Sequence, residues 1–572
     1  MSSISFGGVS TDSSGTSKLG TTLFGVDVDK LVENLVAARG LANDRRQVQI
    51  DSNTTKLSAL STFQGLLTTL QSAAGILRNP VVTSGNADVF DSRQVLATES
   101  GTIDAANLFG ASITDNATLG NYSLTINRVA TADTITSSTN FANADTLQPV
   151  TADGNLTLNG TDIALTTGMT LNQIRDAING KTTDTGVRAS VVKVTDNSYK
   201  LVLKATDTGD AITIADNLTG SLMGELGLAA SGATDTSLSA ELVLDGTTLY
   251  RADNSVTDVI PGVSLELYQA DAGKPVRISV DNNLTAMSTA INNFVDAYNT
   301  VIAYIADQRA VTSTGEVGED QVLYNDAFLT TTYRSLQSLL GEGAQGVDVG
   351  ALKTLRDIGI EIDSSNMLTV ADTSKLEDAL LNDLDGVRAL FGFSAEETAG
   401  LSLVDRPGSI NSSLYGKEVT VRITATDSNG VPTAGEFEVD GQIVAATISN
   451  GFLKGASGTV LEGFTVGYDG GALTVGNTYT GSFKISQGLA DRIGAMLDGS
   501  LDGENATLQL AKNQLTDTSD RLQTQIDDLN GQLEIYRNRL ILQFQAAQEA
   551  ISVLESFQSS IQSQVDSWNA SN

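Results

Sequence analysis

Residues 515–568 read LTDTSDRLQTQIDDLNGQLEIYRNRLILQFQAAQEAISVLESFQSSIQSQVDSW, and the spacing of their apolar side chains decides how the chain is built. Leu515, Leu522, Ile526, Leu529, Leu533, Tyr536 and Leu540 fall in heptad register, the pattern of a helix that lays one seam against another helix. A step of four to Phe544 breaks the phase. Apolar positions resume at Ala547, Ile551 and Leu554 and, after a second shift, at Ile561, Val565 and Trp568. The spacing predicts a helix of about forty residues or more with local changes in supercoil. Near the other end, Phe63, Leu67, Leu70, Ala74 and Leu77 step by four and three until Pro80, which ends a helix. Two long helices at opposite termini can pair only if the chain folds back on itself. Phe63, Leu67, Leu70, Leu77, Leu522, Ile526, Leu529, Leu533, Tyr536, Leu540, Ile551 and Leu554 are therefore the candidate helix-packing and assembly residues. These seams can close on each other within one chain or serve a second molecule. Ile541, Leu542 and Val553 lie beside the main seam, so the helix carries more apolar surface than one partner covers, which favours lateral self-association.

Between the termini the period changes to two. Tyr122, Leu124 and Ile126 alternate with polar residues, as do Val187, Ala189 and Val191, then Tyr199, Leu201 and Leu203, then Val276, Ile278 and Val280. Alternation marks half-buried strands, and turns such as Asp245-Gly246 and Asn429-Gly430 fit antiparallel sheet. Helical spacing returns at Met287, Ile291, Phe294, Tyr298, Ile302 and Ile305. It returns again after Ser374, whose spacing to Glu377 fits a capping box ahead of Leu380, Val387 and Leu390. A last β block runs through Val419, Val421, Ile423, Phe437 and Val439 to about Ile485. The expected architecture is nested and multidomain α+β. A discontinuous helical coiled-coil or bundle stem comes from both termini, antiparallel β domains fill the middle, and one β module is inserted.

Composition narrows the function. The 572 residues have room for about three to five domains, and with 40 % apolar but only 5 % aromatic residues the cores rest on aliphatic side chains. Thirty-four basic against sixty-eight acidic residues leave a formal charge of −34, which repels nucleic acid and anionic lipid. Neither Cys nor His occurs, so thiol nucleophiles, imidazole proton shuttles and the usual zinc ligands are all missing. A chain without Cys can also leave the cell without forming disulfides that resist unfolding. Met1 to Thr22 is Ser-, Thr- and Gly-rich, with no basic stretch ahead of an apolar core, so no cleavable secretory signal is visible. Leu57 to Leu77 is uncharged, but Ser, Thr and Gln interrupt it throughout, which reads as an amphipathic helix and not a membrane span.

No pattern for metal, cofactor or catalysis emerges. Asp427-Ser428-Asn429-Gly430 and Asp498 to Glu504 set oxygen ligands near Gly without the twelve-residue calcium pattern, so an Asx-type turn is expected. Gly7-Gly8 and Gly470-Gly471 lack the spacing of a phosphate-binding loop. A pair of carboxylates suited to glycoside hydrolysis carries no information among so many acids.

The remaining residues resemble a known family, the flagellar filament cap or hook-associated protein 2. Phe24-Gly25-Val26-Asp27-Val28-Asp29-Lys30-Leu31-Val32 is similar to the family's lead into its first helix, and Gly120-Asn121-Tyr122-Ser123-Leu124-Thr125-Ile126 to the strand opening its β region. Thr170 to Gly209 resembles a repeat shared by flagellin and hook-associated proteins. The closest likeness lies in Ile260-Pro261-Gly262-Val263-Ser264-Leu265, then Phe294-Val295-Asp296-Ala297-Tyr298-Asn299. Ile358-Gly359-Ile360, Leu368 and Val387-Arg388-Ala389-Leu390-Phe391 follow in the family's order. Residues 401–488 depart from the shortest members and resemble an extra β module of larger ones.

With the resemblance, the chain is expected to divide into a disordered export segment at 1–22, leg and stem helices at 23–80, a β domain from 81–130 with 240–285, and a distal β domain at 131–239. A helical stem domain at 286–400, the inserted module at 401–488 and a stem and leg coiled coil at 489–572 follow. The resemblance implies no enzyme and no cofactor, but a ring-like homo-oligomer at the distal filament tip under which flagellin is inserted. Further implied partners are hook–filament junction proteins and a type III export chaperone. Three rivals stand beside it. One is a surface adhesin binding host glycan or mucin through its β domains, the second a carboxylate-dependent glycosidase, and the third a filament subunit.

Overall fold

The computed structural model describes residues 28–78, 88–114, 117–217, 222–404, 410–474 and 476–568, with the backbone of 9–11, 17–19, 22–23, 26–27 and 569–570. Most of the expected export segment 1–22, the Phe24-Gly25 start of the lead and the helix stop at Pro80 lie outside the described residues. The chain forms two compact units, Met1–Val82 with Ala290–Asn572, and Thr83–Thr289. Helices come from both termini and the sheets between are antiparallel, so the α+β class expected from the change of period is the one observed.

In the first unit, Val28–Leu77 is one helix of 50 residues and Thr507–Ala570 one of 64. The N-terminal helix begins well ahead of the apolar stepping at Phe63. Its first half is rich in Ala, Leu, Arg and Gln, all good helix formers, and is held in place by polar contacts that hydrophobic period does not register. The two helices run antiparallel: Gln64 meets Lys512, Asn53 meets Ser519, Arg46 meets Gln525, and Asn43 meets Ile526 and Asn530. Further helices, Ala327–Glu342, Leu489–Leu501 and the part of Leu284–Gln308 beyond Ala290, complete a core around Leu60, Phe63, Leu67 and Leu70. Phe63 stacks on Tyr304 with ring centroids 5.5 Å apart and meets Phe328 edge-on at 6.0 Å. Asn299 latches an adjacent strand by donating to the Leu368 carbonyl at 2.8 Å and accepting from its N–H at 2.7 Å. One expectation is corrected. The helix Thr373–Asn382 is capped by Asp372, whose side chain accepts from the Lys375 N–H, because the chain enters the helix two residues earlier than the Ser374–Glu377 spacing implies.

Two sheets interrupt this unit. Phe393–Glu397, Tyr479–Gln487, Glu418–Thr426, Pro432–Val439 and Gln442–Ala445 form one. Leu401–Leu403, Thr465–Tyr468, Phe452–Lys454 and Thr447–Ser449 form the other. Phe437, Phe464 and Phe483 interlock edge-to-face between them. The chain leaves and re-enters the helices at nearly one point, where Gly488 N–H donates to the Gly392 carbonyl at 2.7 Å. A Cβ at Gly488 would sit 2.3 Å from the Phe391 carbonyl carbon, so the closure requires glycine.

The second unit holds two cores. Leu124, Ile126, Leu242, Val276, Ile278 and Val280 line a five-stranded sheet of order Thr247–Arg251, Ala240–Leu244, Gly120–Arg128, Val276–Asn282, Arg93–Glu99. Beside it, Ile260-Pro261-Gly262-Val263 makes a tight turn in which Gly262 has φ +79° and packs on Ala117, the combination a Pro-Gly corner supplies. Between Arg128 and Ala240 the chain builds another core from Leu156, Leu165, Ile174, Ile178, Val187, Leu201 and Leu203 under two three-stranded sheets. Its helix Leu171–Asn179 starts at a Thr170–Gln173 capping box.

Candidate assembly surface

The terminal helices owe their pairing to three zones of different chemistry. Nearest the core, Phe63, Leu67, Leu70 and Leu77 are fully buried, and the end of the N-terminal helix is fastened by charge. Arg78 donates through Nε to Asp491 and through Nη1 to Asp498, each at 2.8 Å, and Gln71 donates to Asp498 and Asp502. Asp491 is 1 % exposed and also accepts from Gln487. Burial works against the Arg78 charge, and the two carboxylates more than offset it, so its pKa lies above the usual arginine value.

The middle zone is polar. Asn43, Arg46 and Asn53 reach across to Asn530, Gln525 and Ser519, with Asn53 itself buried. A polar residue inside such a seam sets register and lowers stability. Beyond it, Leu533 packs near Gly40, Arg39 lies 4.1 Å over the Tyr536 ring, and Val28 and Val32 close on Leu540 and Ile541.

There the N-terminal helix stops, while the C-terminal helix continues for about thirty residues. Ile551 is half-buried, and Leu554 is 68 % exposed. Val553, Phe557, Ile561, Val565 and Trp568 are exposed too, Phe557 at 68 % and Trp568 at 73 %. The structure thus brings ten of the twelve candidate residues into the helical unit's own packing. Leu522, Leu529, Leu533 and Tyr536 are half-buried, and Ile526 and Leu540 are buried. Ile551 and Leu554 stand apart on the overhang. Phe557 was not among the candidates, although its place between Leu554 and Ile561 at steps of three and four marks it as part of the same stripe.

Buried acids elsewhere serve as backbone clamps. Asp133 accepts from the N–H groups of Thr134 and Ile212 and from Ser231, and Asp88 accepts from Phe90 N–H. Asp427 accepts from the N–H groups of Asn429 and Val431, an Asx turn. Among the described residues no group of three acids could hold a metal ion, and no helix is long and apolar enough to cross a membrane.

The family description "Flagellar hook-associated protein 2 C-terminus" matches residues 237–556, its N-terminal counterpart residues 24–133, and the "Flagellin hook IN motif" residues 155–207. The B-type flagellar hook-associated protein 2 of Pseudomonas aeruginosa is 28 % identical over 396 residues, covering 64 % of this chain and 78 % of the relative. The flagellar hook-associated protein 2 of Escherichia coli is 28 % identical over 391 residues, covering 65 % and 80 %. A crystal structure of three domains of the Escherichia coli flagellar cap protein FliD aligns at 26 % identity and a TM-score of 0.43, over 58 % of this chain and 90 % of that one. With more than half of its length matched by the C-terminal description alone, the chain belongs to the flagellar hook-associated protein 2 family, that of the flagellar cap.

Proposed function

We propose that this protein is a structural cap at the distal tip of the flagellar filament, where a ring of copies promotes flagellin insertion, supports elongation and prevents flagellin loss. The observation that carries this reading is the overhang of the C-terminal helix, on which the apolar side chains of Val553, Leu554, Phe557, Ile561 and Val565 are exposed. Burying a large apolar side chain contributes about 1.5–3 kcal/mol. Five of them come to about 10 kcal/mol, the same size as the roughly 4–15 kcal/mol lost in immobilising a partner. One overhang therefore binds weakly and exchanges. Several in a ring, acting together, hold on while each can let go in turn, which is what a cap that steps with the growing end requires. Residues 23–80 and 489–572 form the attachment legs in this reading. The protein travels through the flagellar type III exporter, with a chaperone covering the stripe before export, and it adjoins hook–filament junction proteins before the filament grows.

The test is electron microscopy of cells lacking the gene and complemented with tagged chain, either whole or without residues 540–572. Whole protein at filament tips with restored filament length, and short or absent filaments with the truncated chain, is the expected result. Normal filaments from the truncated chain would remove the legs from the mechanism. A tag found away from the tips would remove the cap reading altogether.

A further inference from the structure

The sheet Val187–Thr195, Ser198–Ala205, Thr134–Thr136 has an inner face in the core, with Val187, Ala189, Leu201 and Leu203 buried. Alternation sends the intervening residues outward. Register places Arg188 directly opposite Lys204, Ser190 opposite Val202, and Val192 opposite Lys200, while Thr134 and Thr136 continue the face on the third strand. This outer face carries three cations and no acid, in a chain whose charged residues are acidic twice as often as basic. None of Arg188, Lys200 and Lys204 has an ion-pair partner among the described residues, whereas Lys193 at the hairpin tip is held by Asp196. Val192 and Val194, on the same face, are 45 % and 55 % exposed. Like charges directly opposite each other on neighbouring strands destabilise a sheet. The Arg188–Lys204 pair costs the isolated chain stability that an acidic partner surface would return.

We infer that this cationic, valine-bearing face is a contact surface between copies of the chain, seated on an acidic surface of the neighbouring copy. The inference rests on the ring reading above and names one of its surfaces. A second copy is the fitting occupant because each chain carries a formal charge of −34, so two copies repel over most of their surfaces. A patch of opposite sign provides a place and an orientation where approach is favourable. A head-to-tail contact of unlike patches is also the kind that closes into a ring.

The charge geometry provides a substitution whose two effects have opposite sign. Arg188→Glu places a carboxylate opposite Lys204, which removes the like-charge pair and leaves the fold as stable as before or more so. It also breaks the all-basic face. Sedimentation velocity of the full chain across a salt series is expected to show self-association that weakens with salt, and at least about tenfold weaker association for Arg188→Glu. The unfolding temperature should be unchanged or higher. Because the chain has no Cys, Val192→Cys carrying a photo-crosslinker gives a second readout. In a mixture of isotope-labelled and unlabelled copies, crosslinks should join copies through acid-rich peptides. Unchanged association of Arg188→Glu, or crosslinks confined to single copies, would overturn this surface and leave the ring reading intact. A wild-type chain that stays monomeric at every concentration and salt would overturn both. Arg188→Glu that loses binding to heparin but assembles normally would assign the face to a polyanionic glycan and end the inference.

Discussion

Phe63 and Phe557 sit in the same kind of place, each an aromatic residue on an apolar stripe of a long terminal helix flanked by Ser, Thr and Gln. The first is fully buried between Tyr304 and Phe328, and the second is 68 % exposed. Their sequence surroundings hardly differ. What differs is whether the chain brings a second element to that level: the helices that carry Tyr304 and Phe328 close on Phe63, whereas the N-terminal helix begins at Val28, opposite Ile541, and does not reach Phe557. Helical periodicity therefore tells which face must be covered, and only topology tells whether the cover comes from the same molecule. The sharpest way to break the comparison is to truncate both rings. Phe63→Ala should destabilise the helical unit by about 3–5 kcal/mol. Phe557→Ala should leave it within about 0.5 kcal/mol of wild type yet shorten filaments in complemented cells. Scanning calorimetry of the full chain separates the two, and an equal loss from both substitutions would mean that the overhang is packed after all.

The next largest effect is expected at the buried end of the stem. Arg78→Met keeps the apolar stem of the side chain but leaves Asp491, 1 % exposed, with Gln487 as its one remaining side-chain partner among the described residues. Breaking a buried pair from one side costs about 3–5 kcal/mol, and the solvent-facing part of Arg78 places this case at the lower end. Adding Asp491→Asn should recover part of the loss, since the buried charge then disappears. A double variant as unstable as the sum of the two single ones would show that Arg78 acts by packing and not by charge.

How much of this was legible follows the same division. The period-two segments at Leu124–Ile126 and Val187–Val191 became strands, and the heptads from Leu515 to Leu540 became a paired helix, because each element buries a face of its own. From Val28 to Asn53 the helix was expected only through the family resemblance, which placed leg and stem helices at 23–80, and not from apolar spacing. Beyond Val28 and Val32 its seam runs through Asn43, Arg46 and Asn53, and polar groups that find partners across 466 or more residues of chain leave no local pattern. The Asp372 cap was missed because Asp372 and Ser374 both suit a helix start, and only the backbone decides between them. Of the assembly residues, Ile551 and Leu554 were named with those that close inside the molecule, since a heptad reads the same on either side of the point where its partner ends.

The polar middle of the stem gives a smaller effect with the opposite sign. Asn53 is buried, donates to Ser519 Oγ at 3.1 Å and accepts from Gln49. Ser519 also donates to the Leu515 carbonyl, so removing Asn53 leaves no orphaned donor there. Asn53→Leu should therefore stabilise the helical unit by about 1 kcal/mol, at the expense of the register that a buried amide enforces. A raised unfolding temperature together with new self-association in sedimentation is the expected pair of results. A lowered temperature would show that the amide network contributes more than an apolar seam would.

The smallest effect concerns a turn beside the helical core and depends on pH. Asp357 Oδ2 accepts from the N–H groups of Thr354 and Lys353 at 2.8 and 3.0 Å and from the Thr354 hydroxyl at 3.0 Å. Burial alone would raise the pKa of this carboxyl. Hydrogen bonds from Thr354 and Lys353, with Lys375 nearby, outweigh it and hold the group below the ordinary aspartate value. A folded-state pKa below the unfolded one means that the native state holds the carboxylate more strongly than the unfolded chain does. The contribution is therefore present in full above the unfolded value of about 3.9 and is lost as the pH falls through the lower folded value. Asp357→Asn should be less stable than wild type at neutral pH, and the gap should narrow as the pH drops below about 4. Melting curves of both proteins from neutral to acid pH test this, and parallel curves over the whole range would show that the turn is held by its backbone alone.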